Sequence, residues 1–416
     1  MNAAPHPLGS VIASAAAPFA APSRFWPPAP FCCDGKEGCR AGVGARMVCI
    51  GTEVLQMKER TVRQVNGRQA NDSSAERDQR YEVVVIGGGA AGLSGALMLG
   101  RARRSVIVID SGQPRNAAST GVHAYLGREG DAPGALLADG RDEVRAYGGR
   151  FREGTVVSAA RDGTGFVVRL ADGGTVHGRR LLVTTGLVDE LPEVPGLAEL
   201  WGSDVLHCPY CHGWEVRDRT IGVLGTGPLA VHQALLWRQW SERVTLFLHT
   251  APEPSDEEYE QLAARGIAVV DGEVSAVEQA DGRLTGIRLA GGTVVPCQVL
   301  CVAPRFVSRA GFLDALGLEP ADLERAGTVI GSHLPGDAMG QTAVPGVWVA
   351  GNATAPTEQV IGSAAAGARA AGAINADLIA EDTRVAVAAR RVGEPFSPEA
   401  EREVCERVLA DRRHGL

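Results

Sequence analysis

Tyr81-Glu82-Val83-Val84-Val85-Ile86-Gly87-Gly88-Gly89-Ala90-Ala91-Gly92 is the stretch from which the fold of this chain can be read. Residues 82–86 form a short apolar run that ends in glycines, the pattern of a buried parallel strand. Residues 92–99 then read as a helix. Ser105-Val106-Ile107-Val108-Ile109 reads as a second strand closing on Asp110. A lone G-x-G-x-x-G is weak, because a tight strand–helix turn uses it without any ligand. Here strand, turn, helix, strand and acid follow in order. The glycines permit a tight turn and close approach of a pyrophosphate to the helix N-terminus, and Asp110 can accept hydrogen bonds from a ribose.

Downstream lie the polar stretches Ser111-Gly112-Gln113-Pro114-Arg115-Asn116 and His123-Ala124-Tyr125-Leu126-Gly127-Arg128, which read either as cofactor contacts or as solvated loops. Residues 140–180 read as a helix and an antiparallel meander, with strands at 156–160, 166–170 and 175–177 and turns at Asp162-Gly163 and Asp172-Gly173. Residues 181–186 return a strand to the parallel sheet, and Leu191-Pro192-Glu193-Val194-Pro195-Gly196 breaks regular structure as a domain crossover would.

A second unit repeats the pattern. Ile221-Gly222-Val223-Leu224 is a strand, Gly225-Thr226-Gly227-Pro228-Leu229-Ala230 a turn, residues 231–240 a helix and residues 244–248 the next strand. Residues 267–277, 284–289 and 293–302 read as a second meander. Gly346-Val347-Trp348-Val349-Ala350-Gly351-Asn352 is a strand ending in Gly-Asn, residues 360–379 a helix of small residues, and residues 381–416 a charged helical end. The fold class is therefore α/β, with two Rossmann-like, doubly wound, three-layer nucleotide-binding domains, the second inserted into the first. The first takes residues 81–189 and 299–386, the insertion residues 190–298, and a helical tail residues 387–416.

Between the two glycine turns stands His207-Cys208-Pro209-Tyr210-Cys211-His212-Gly213-Trp214. Two cysteines at this spacing can close a small disulfide ring and stabilise one another's thiolate, and a flanking histidine can take or supply a proton. Plainer readings remain: a buried thiol pair, histidines that merely cap the turn, or a zinc site completed by Cys297 and Cys301. Cys297 and Cys301 lie in an apolar run, where cysteine usually acts as a small hydrophobe. Trp214, Trp237 and Trp240 read as core or interface side chains.

The chain has 416 residues, 45% of them hydrophobic, enough for more than one domain. A net charge of −8 argues against nucleic acid and anionic membranes as partners, and no apolar run is long enough to span a bilayer. The nine cysteines are too scattered for a secreted disulfide scaffold, so a cytoplasmic setting with one redox pair is expected and no metal. Residues 1–80, rich in Ala and Pro at the start, read as a disordered extension. Residues 11–21 are only mildly apolar with no basic segment before them, so a signal peptide is not expected. Met47 and Met57 are alternative start sites, and Cys32, Cys33 and Cys39 find no fourth ligand nearby.

This order of motifs resembles the low-molecular-weight thioredoxin reductase family of pyridine-nucleotide–disulfide oxidoreductases over residues 81–385. Cys-Pro-Tyr-Cys-His-Gly-Trp is most similar to its FAD-dependent dithiol oxidase subgroup. The resemblance implies FAD held at the turn Gly87, Gly89, Ala90, Ala91 and Gly92, with Asp110 on the ribose. It puts Gly351 and Asn352 against the flavin end, and Gln359 and Val360 near the isoalloxazine. Asp is usual where Asn352 stands, and an amide oxygen can still accept. Cys208 would meet the substrate and Cys211 the flavin, with His212 as acid–base group where the reductases carry Asp. Gly225 and Gly227 would form an NAD(P) turn. NADPH-dependent reductases follow that unit's second strand with arginines for the 2′-phosphate. Here Leu248-His249-Thr250-Ala251-Pro252-Glu253-Pro254 has none, nor an acid at the strand end to favour NAD. FAD is thus the expected cofactor and the use of NADPH stays open. The expected activity is electron exchange between FAD, the cysteine pair and a small dithiol or thioredoxin-like partner, by a homodimer. It runs as a dithiol oxidase or as an NADPH-dependent reductase. A reading of another class is a non-catalytic flavin-binding redox sensor.

Overall fold

The computed structural model describes residues 80–392 and 398–409. The expectations for residues 1–79, their cysteines included, and for residues 410–416 lie outside that range.

The first strand, β1 (Arg80–Ile86), runs into the glycine turn and α1 (Ala90–Arg101), followed by β2 (Val106–Asp110), α2 (Pro133–Ala146) and β3 (Arg150–Glu153). Next come β4 (Val156–Asp162), β5 (Gly165–Leu170) and β6 (Thr175–Val183). They make one seven-stranded sheet in the order β3-β2-β1-β6-β5-β4, its seventh strand lying beside β6. The apolar run of β1 is explained by layers on both faces. Val83 and Val85 pack with Leu93, Ala96 and Leu99 of α1, whereas Val84 and Ile86 pack with Phe166, Val168 and Leu313 on the other side. Complete burial of each such side chain is worth about 1.5–3 kcal/mol.

One expectation is corrected at β6. The last strand of the meander and the strand returning to the parallel sheet are a single nine-residue strand. Its first half pairs antiparallel with β5, and from His177 to Val183 it pairs parallel with β1. The alternation of Thr175 to Gly178 and the continuous apolar run after it differ because only the second half is covered on both faces.

The chain leaves through β7 (Leu187–Glu190). It then forms β8 (Val205–Leu206), the short turn of helix α3 (Pro209–His212), β9 (Ile221–Leu224), α4 (Ala230–Trp237), β10 (Val244–Phe247) and α5 (Asp256–Ala264). The strands β11 (Ala268–Val270), β12 (Val274–Ala280), β13 (Arg283–Leu289), β14 (Val294–Pro296) and β15 (Val299–Cys301) complete this half. A five-stranded sheet has the order β11-β10-β9-β15-β8, and β12-β13-β14 is a separate three-stranded meander. The second meander read from the sequence is therefore corrected as well. Residues 267–277 and 293–302 each contain two strands that belong to different sheets, because Gly272 (φ +101°) and the Pro296-Cys297-Gln298 link turn the chain between them.

Four more strands, β16 (Arg305–Ser308), β17 (Ala321–Arg325), β18 (Thr328–His333) and β19 (Val347–Val349), precede α6 (Val360–Val392) and α7 (Pro398–Leu409). β19 is the seventh strand of the first sheet, parallel to the second half of β6. β7 and β16 pair antiparallel, Leu187 opposite Ser308 and Glu190 opposite Arg305, in a four-stranded sheet with β17 and β18. The outgoing and returning strands of the insertion are thereby tied together. The result is an α/β fold of two Rossmann-like units, one inserted in the other.

The small residues of α6 serve close packing on α1: a Cβ on Gly367 would strike the backbone of Ala91. The helix does not end near residue 379 as its composition suggests. Glu381 and Asp382 pair with Arg179, Arg180 and Arg104, so the charged segment is anchored on the first sheet and the helix continues to Val392.

Candidate active site

Cys208 and Cys211 are joined as a disulfide with Cα atoms 5.3 Å apart. The ring is built on α3. Cys208 keeps an extended backbone at the N-cap, and Pro209, which needs no donor, begins the turn. The amides of Cys211 and His212 both reach the Cys208 carbonyl at 3.2 Å. Gly213 is required behind the turn, since a Cβ there would lie 2.8 Å from the Trp240 ring. Tyr210 meets Trp240 edge-on with centroids 5.6 Å apart. Trp237 is in the core and Trp240 is half-buried against it, whereas Trp214 is 66% exposed with Arg217 stacked on it.

The two flanking histidines differ. Burial and the nearby Arg115 guanidinium push His207 down to about 4, against the pull of Asp189. It sits edge-on to Phe306, centroids 5.2 Å apart, as a neutral packing group. His212 is also lowered, chiefly by burial, with Glu215 opposing and His123 adding to the shift. At neutral pH it is an available base beside Cys211.

The disulfide opens onto a cleft of about 470 Å³. Gly87, Gly89, Ala90, Ala91 and Asp110 line one end. Cys208, Cys211 and His212 line another part, and Asn352, Gln359 and Val360 contribute further wall. Gly92 and Gly351 are not in the lining but make the turn possible. A Cβ on Gly92 would strike the Gly87 carbonyl, and Gly351 (φ +70°) would bring one to 2.8 Å from the Ala91 Cβ. The cleft suits a dinucleotide. The N-terminus of α1 has no side-chain cap, a Cβ on Gly89 would meet nothing within 4 Å, and the buried Ser363 Oγ in the wall has no partner. Open amide donors at a helix N-terminus with nothing in front of them favour a phosphate. Thr184 Oγ1 pins the turn by donating to Ile86 O at 3.0 Å and Gly87 O at 2.8 Å.

Asn352 braces the turn that follows it through its amide nitrogen, which leaves its oxygen as the acceptor. Its Nδ2 donates to the carbonyls of Ala355, Pro356 and Glu358 at 3.1, 3.2 and 2.9 Å, and its Oδ1 lies 3.5 Å from Arg115 Nη1. The amide's two hydrogens are shared among these three carbonyls, and a carboxylate has neither. Arg115, read from sequence only as part of a polar loop, pairs with both oxygens of Asp189 at 2.6 and 2.7 Å and lies over the Phe306 ring. Thr184 and Ser363 carried no sequence signal, because the packing that brings them to the cleft is tertiary.

The second glycine turn is separate. Gly225 packs under residue 248, where a Cβ would lie 2.8 Å from the Leu248 carbonyl. Gly227 lines a hollow of about 90 Å³ together with Glu253 and Glu258. His249 brings no cation to it: its Nδ1 accepts from the Val274 amide at 3.1 Å, and burial lowers its pKa. Arg243 stands at the opposite end of β10 and binds the Asp218 carbonyl.

Cys297 and Cys301 are buried apart from the disulfide. Burial pushes the Cys297 thiol up to about 11 and also raises Cys301 well above the usual thiol value, and Cys297 Sγ donates to the Val299 carbonyl at 3.0 Å. Among the described residues no group of three His, Cys, Asp or Glu is arranged for a metal ion, and no helix is long and apolar enough to cross a membrane.

Comparison with known proteins agrees with this geometry. The family model described as pyridine nucleotide-disulphide oxidoreductase matches residues 81–372. The chain is 31% identical over 321 residues to thioredoxin reductase sirT of Leptosphaeria maculans, covering 73% of this chain and 95% of that one. It is 35% identical over 249 residues to thioredoxin reductase tcpT of Claviceps purpurea, covering 57% and 78%. Among solved structures, that of HlmI is similar at 45% identity and a TM-score of 0.70, covering 77% of this chain and 99% of that one. With a redox disulfide facing a dinucleotide cleft, the chain belongs to the pyridine nucleotide-disulphide oxidoreductases, as a thioredoxin reductase-like, FAD-dependent enzyme acting on sulfur groups.

Proposed function

We propose that the protein is a dithiol oxidase in which Cys208, Cys211 and His212 do the sulfur chemistry. FAD lies along Gly87, Gly89, Ala90, Ala91, Gly92 and Asp110, with Gly351, Asn352, Gln359 and Val360 around its flavin end. The FAD domain is taken as residues 81–189 and 299–386 and the insertion as 190–298, and the pairing of β15 with β9 and β8 favours moving that second limit from residue 298 to 301. A substrate thiol gives its proton to His212, and its sulfur attacks Cys208 Sγ. The Cys208–Cys211 bond breaks and Cys211 leaves as thiolate. The second substrate thiol attacks the mixed disulfide, freeing Cys208 and releasing the substrate as a disulfide. FAD, when bound, supplies the two-electron acceptor that restores the cysteine pair, with oxygen as terminal oxidant.

The observation that carries the direction is the hollow at Gly227, acidic through Glu253 and Glu258 and without a cation because His249 is spent as an acceptor. A 2′-phosphate needs charge-assisted donors there, each worth about 1.5–3 kcal/mol. The substrate is a small dithiol or a thioredoxin-like protein and the working form a homodimer. Free thiols at Cys297, Cys301 and Cys405 support a cytoplasmic setting. The test is anaerobic rapid mixing. Dithiothreitol should bleach the flavin through the cysteine pair far faster than NADPH does. Equal or faster bleaching by NADPH returns the protein to the NADPH-dependent reductases.

A further inference from the structure

Segments far apart in the chain meet at Arg115, which stands in the loop after β2 and lines the cleft. Its Nε and Nη2 donate to the two oxygens of Asp189 at 2.7 and 2.6 Å, a two-point pairing that fixes both side chains. Asp189 lies on β7, the strand that leaves the first domain, and its side chain is only 7% exposed. Directly opposite Asp189 in the antiparallel pair stands Phe306 of β16, the returning strand. The guanidinium carbon of Arg115 lies 5.4 Å from the centre of the Phe306 ring, so one arginine grips both strands. Its remaining nitrogen, Nη1, lies 3.5 Å from Asn352 Oδ1.

Phe306 carries the contact on to the disulfide. The His207 ring meets it edge-on with centroids 5.2 Å apart, and His207 directly precedes Cys208. Phe306 is buried, and close packing leaves such a stack little room to shift. The loop that carries Arg115 touches the insertion a second time. A Cβ on Gly202, just before β8, would lie 2.6 Å from the Ala118 Cβ. The hydrogen bonds of α3 to the Cys208 carbonyl shape the disulfide turn but do not say where it stands over the cleft. The contacts of His207 with Phe306, and of Phe306 with Arg115, reach from that turn to the cofactor half.

We propose that Arg115 is a positioning residue for the redox disulfide: paired with Asp189 and stacked on Phe306, it fixes through His207 the place of Cys208 and Cys211 over the cleft. The clasp makes and breaks no bond and moves no proton. Its loss falls on the rate of exchange between the cysteine pair and flavin, since a misplacement of about 1 Å can cost about a hundredfold. The inference rests on the reading of Cys208 and Cys211 as the groups that exchange with the flavin.

The test is anaerobic rapid mixing of dithiothreitol with the flavin-loaded protein and with R115Q, R115K, D189N, R115Q/D189N, F306L and C208S. A thermal melt and an FAD titration check that each is folded and keeps its cofactor. R115Q and D189N should slow flavin reduction at saturating dithiothreitol by about ten- to a hundredfold, with FAD affinity and the half-saturating dithiothreitol concentration little changed. The double variant should match the slower single, because both remove the same pairing. R115K should keep part of the rate, since it retains the charge and loses the fork. F306L should be slow although the ion pair remains, and it decides the matter with R115K where R115Q or D189N does not fold. Wild-type rates in R115Q and D189N, a wild-type rate in F306L, or a double variant whose loss is the product of the two singles overturns the proposal. So does an R115Q that loses FAD affinity beside a D189N reduced normally, which would make Arg115 a direct cofactor contact. C208S reduced at the wild-type rate would instead remove the disulfide chemistry on which the inference rests.

Discussion

At Asn352 one side chain braces the turn that walls the cleft. Its amide nitrogen serves three carbonyls of the 355–358 turn with its two hydrogens, so Asn352→Asp would set a carboxylate against carbonyl oxygens and lose both donors. Each lost hydrogen bond costs about 1 kcal/mol, so Asn352→Asp is expected to lower stability and weaken FAD retention, seen as a lower unfolding midpoint and flavin lost on gel filtration. The cysteines divide their work. Cys208→Ser should abolish dithiol turnover yet leave the Cys211 thiolate able to perturb the flavin spectrum, while Cys211→Ser should lose both. Near-normal turnover in either variant would make the disulfide structural. His207 bears on stability. Its folded value of about 4 lies below the usual imidazole value of 6.5, so the unfolded chain binds a proton there that the folded chain does not. Stability therefore falls as pH drops from 6.5 towards 4, and His207→Asn should flatten urea midpoints over that interval.

The elements show why small residues matter more than apolar ones where α1 meets α6. Gly95 and Gly367 face each other there, and a Cβ on Gly367 would meet the Ala91 backbone, which cannot move without distorting the glycine turn. Gly367→Leu should cost about 1–3 kcal/mol by overpacking and should release flavin as well, because the strain falls on the cofactor turn. A thermal melt with flavin fluorescence as a second probe checks both, and a stable yellow variant would contradict the packing. The C-terminal half of α6 depends instead on charge: Arg180, whose side chain is 9% exposed, bonds to Asp377 and Glu381. Composition alone cannot show that a charged helical segment has partners on a sheet some two hundred residues earlier in the chain.

For the whole molecule, the two glycine turns share a pattern but not a setting. The first faces a wide cleft that also holds the disulfide. The second faces a small acidic hollow. Glu253→Arg would replace a repelling charge by a donor fork, and NADPH affinity should rise by about tenfold or more. Titration of protein fluorescence with NADPH measures this, and an unchanged affinity would show that something other than charge closes the second site. The β7–β16 pair joins the two halves through Leu187–Glu190 and Arg305–Ser308, so the position of the disulfide relative to the cleft depends on that link.

The sequence by itself determined the fold and the chemistry. The run from Tyr81 to Gly92 with Asp110, its repeat at Ile221 to Ala230, and Cys208-Pro209-Tyr210-Cys211-His212 are local patterns whose turn geometry and thiol chemistry need no distant partner. The tertiary structure decided what depends on distant parts of the chain. It showed that His249 is an acceptor and not a cation, that residues 267–277 and 293–302 divide between two sheets, and that the Asn352 amide nitrogen braces the 355–358 turn. It also brought His123 and Glu129 to Glu215. A residue's type sets the bonds it is able to make, but charge state, hydrogen-bond direction and sheet membership depend on neighbours that only folding supplies.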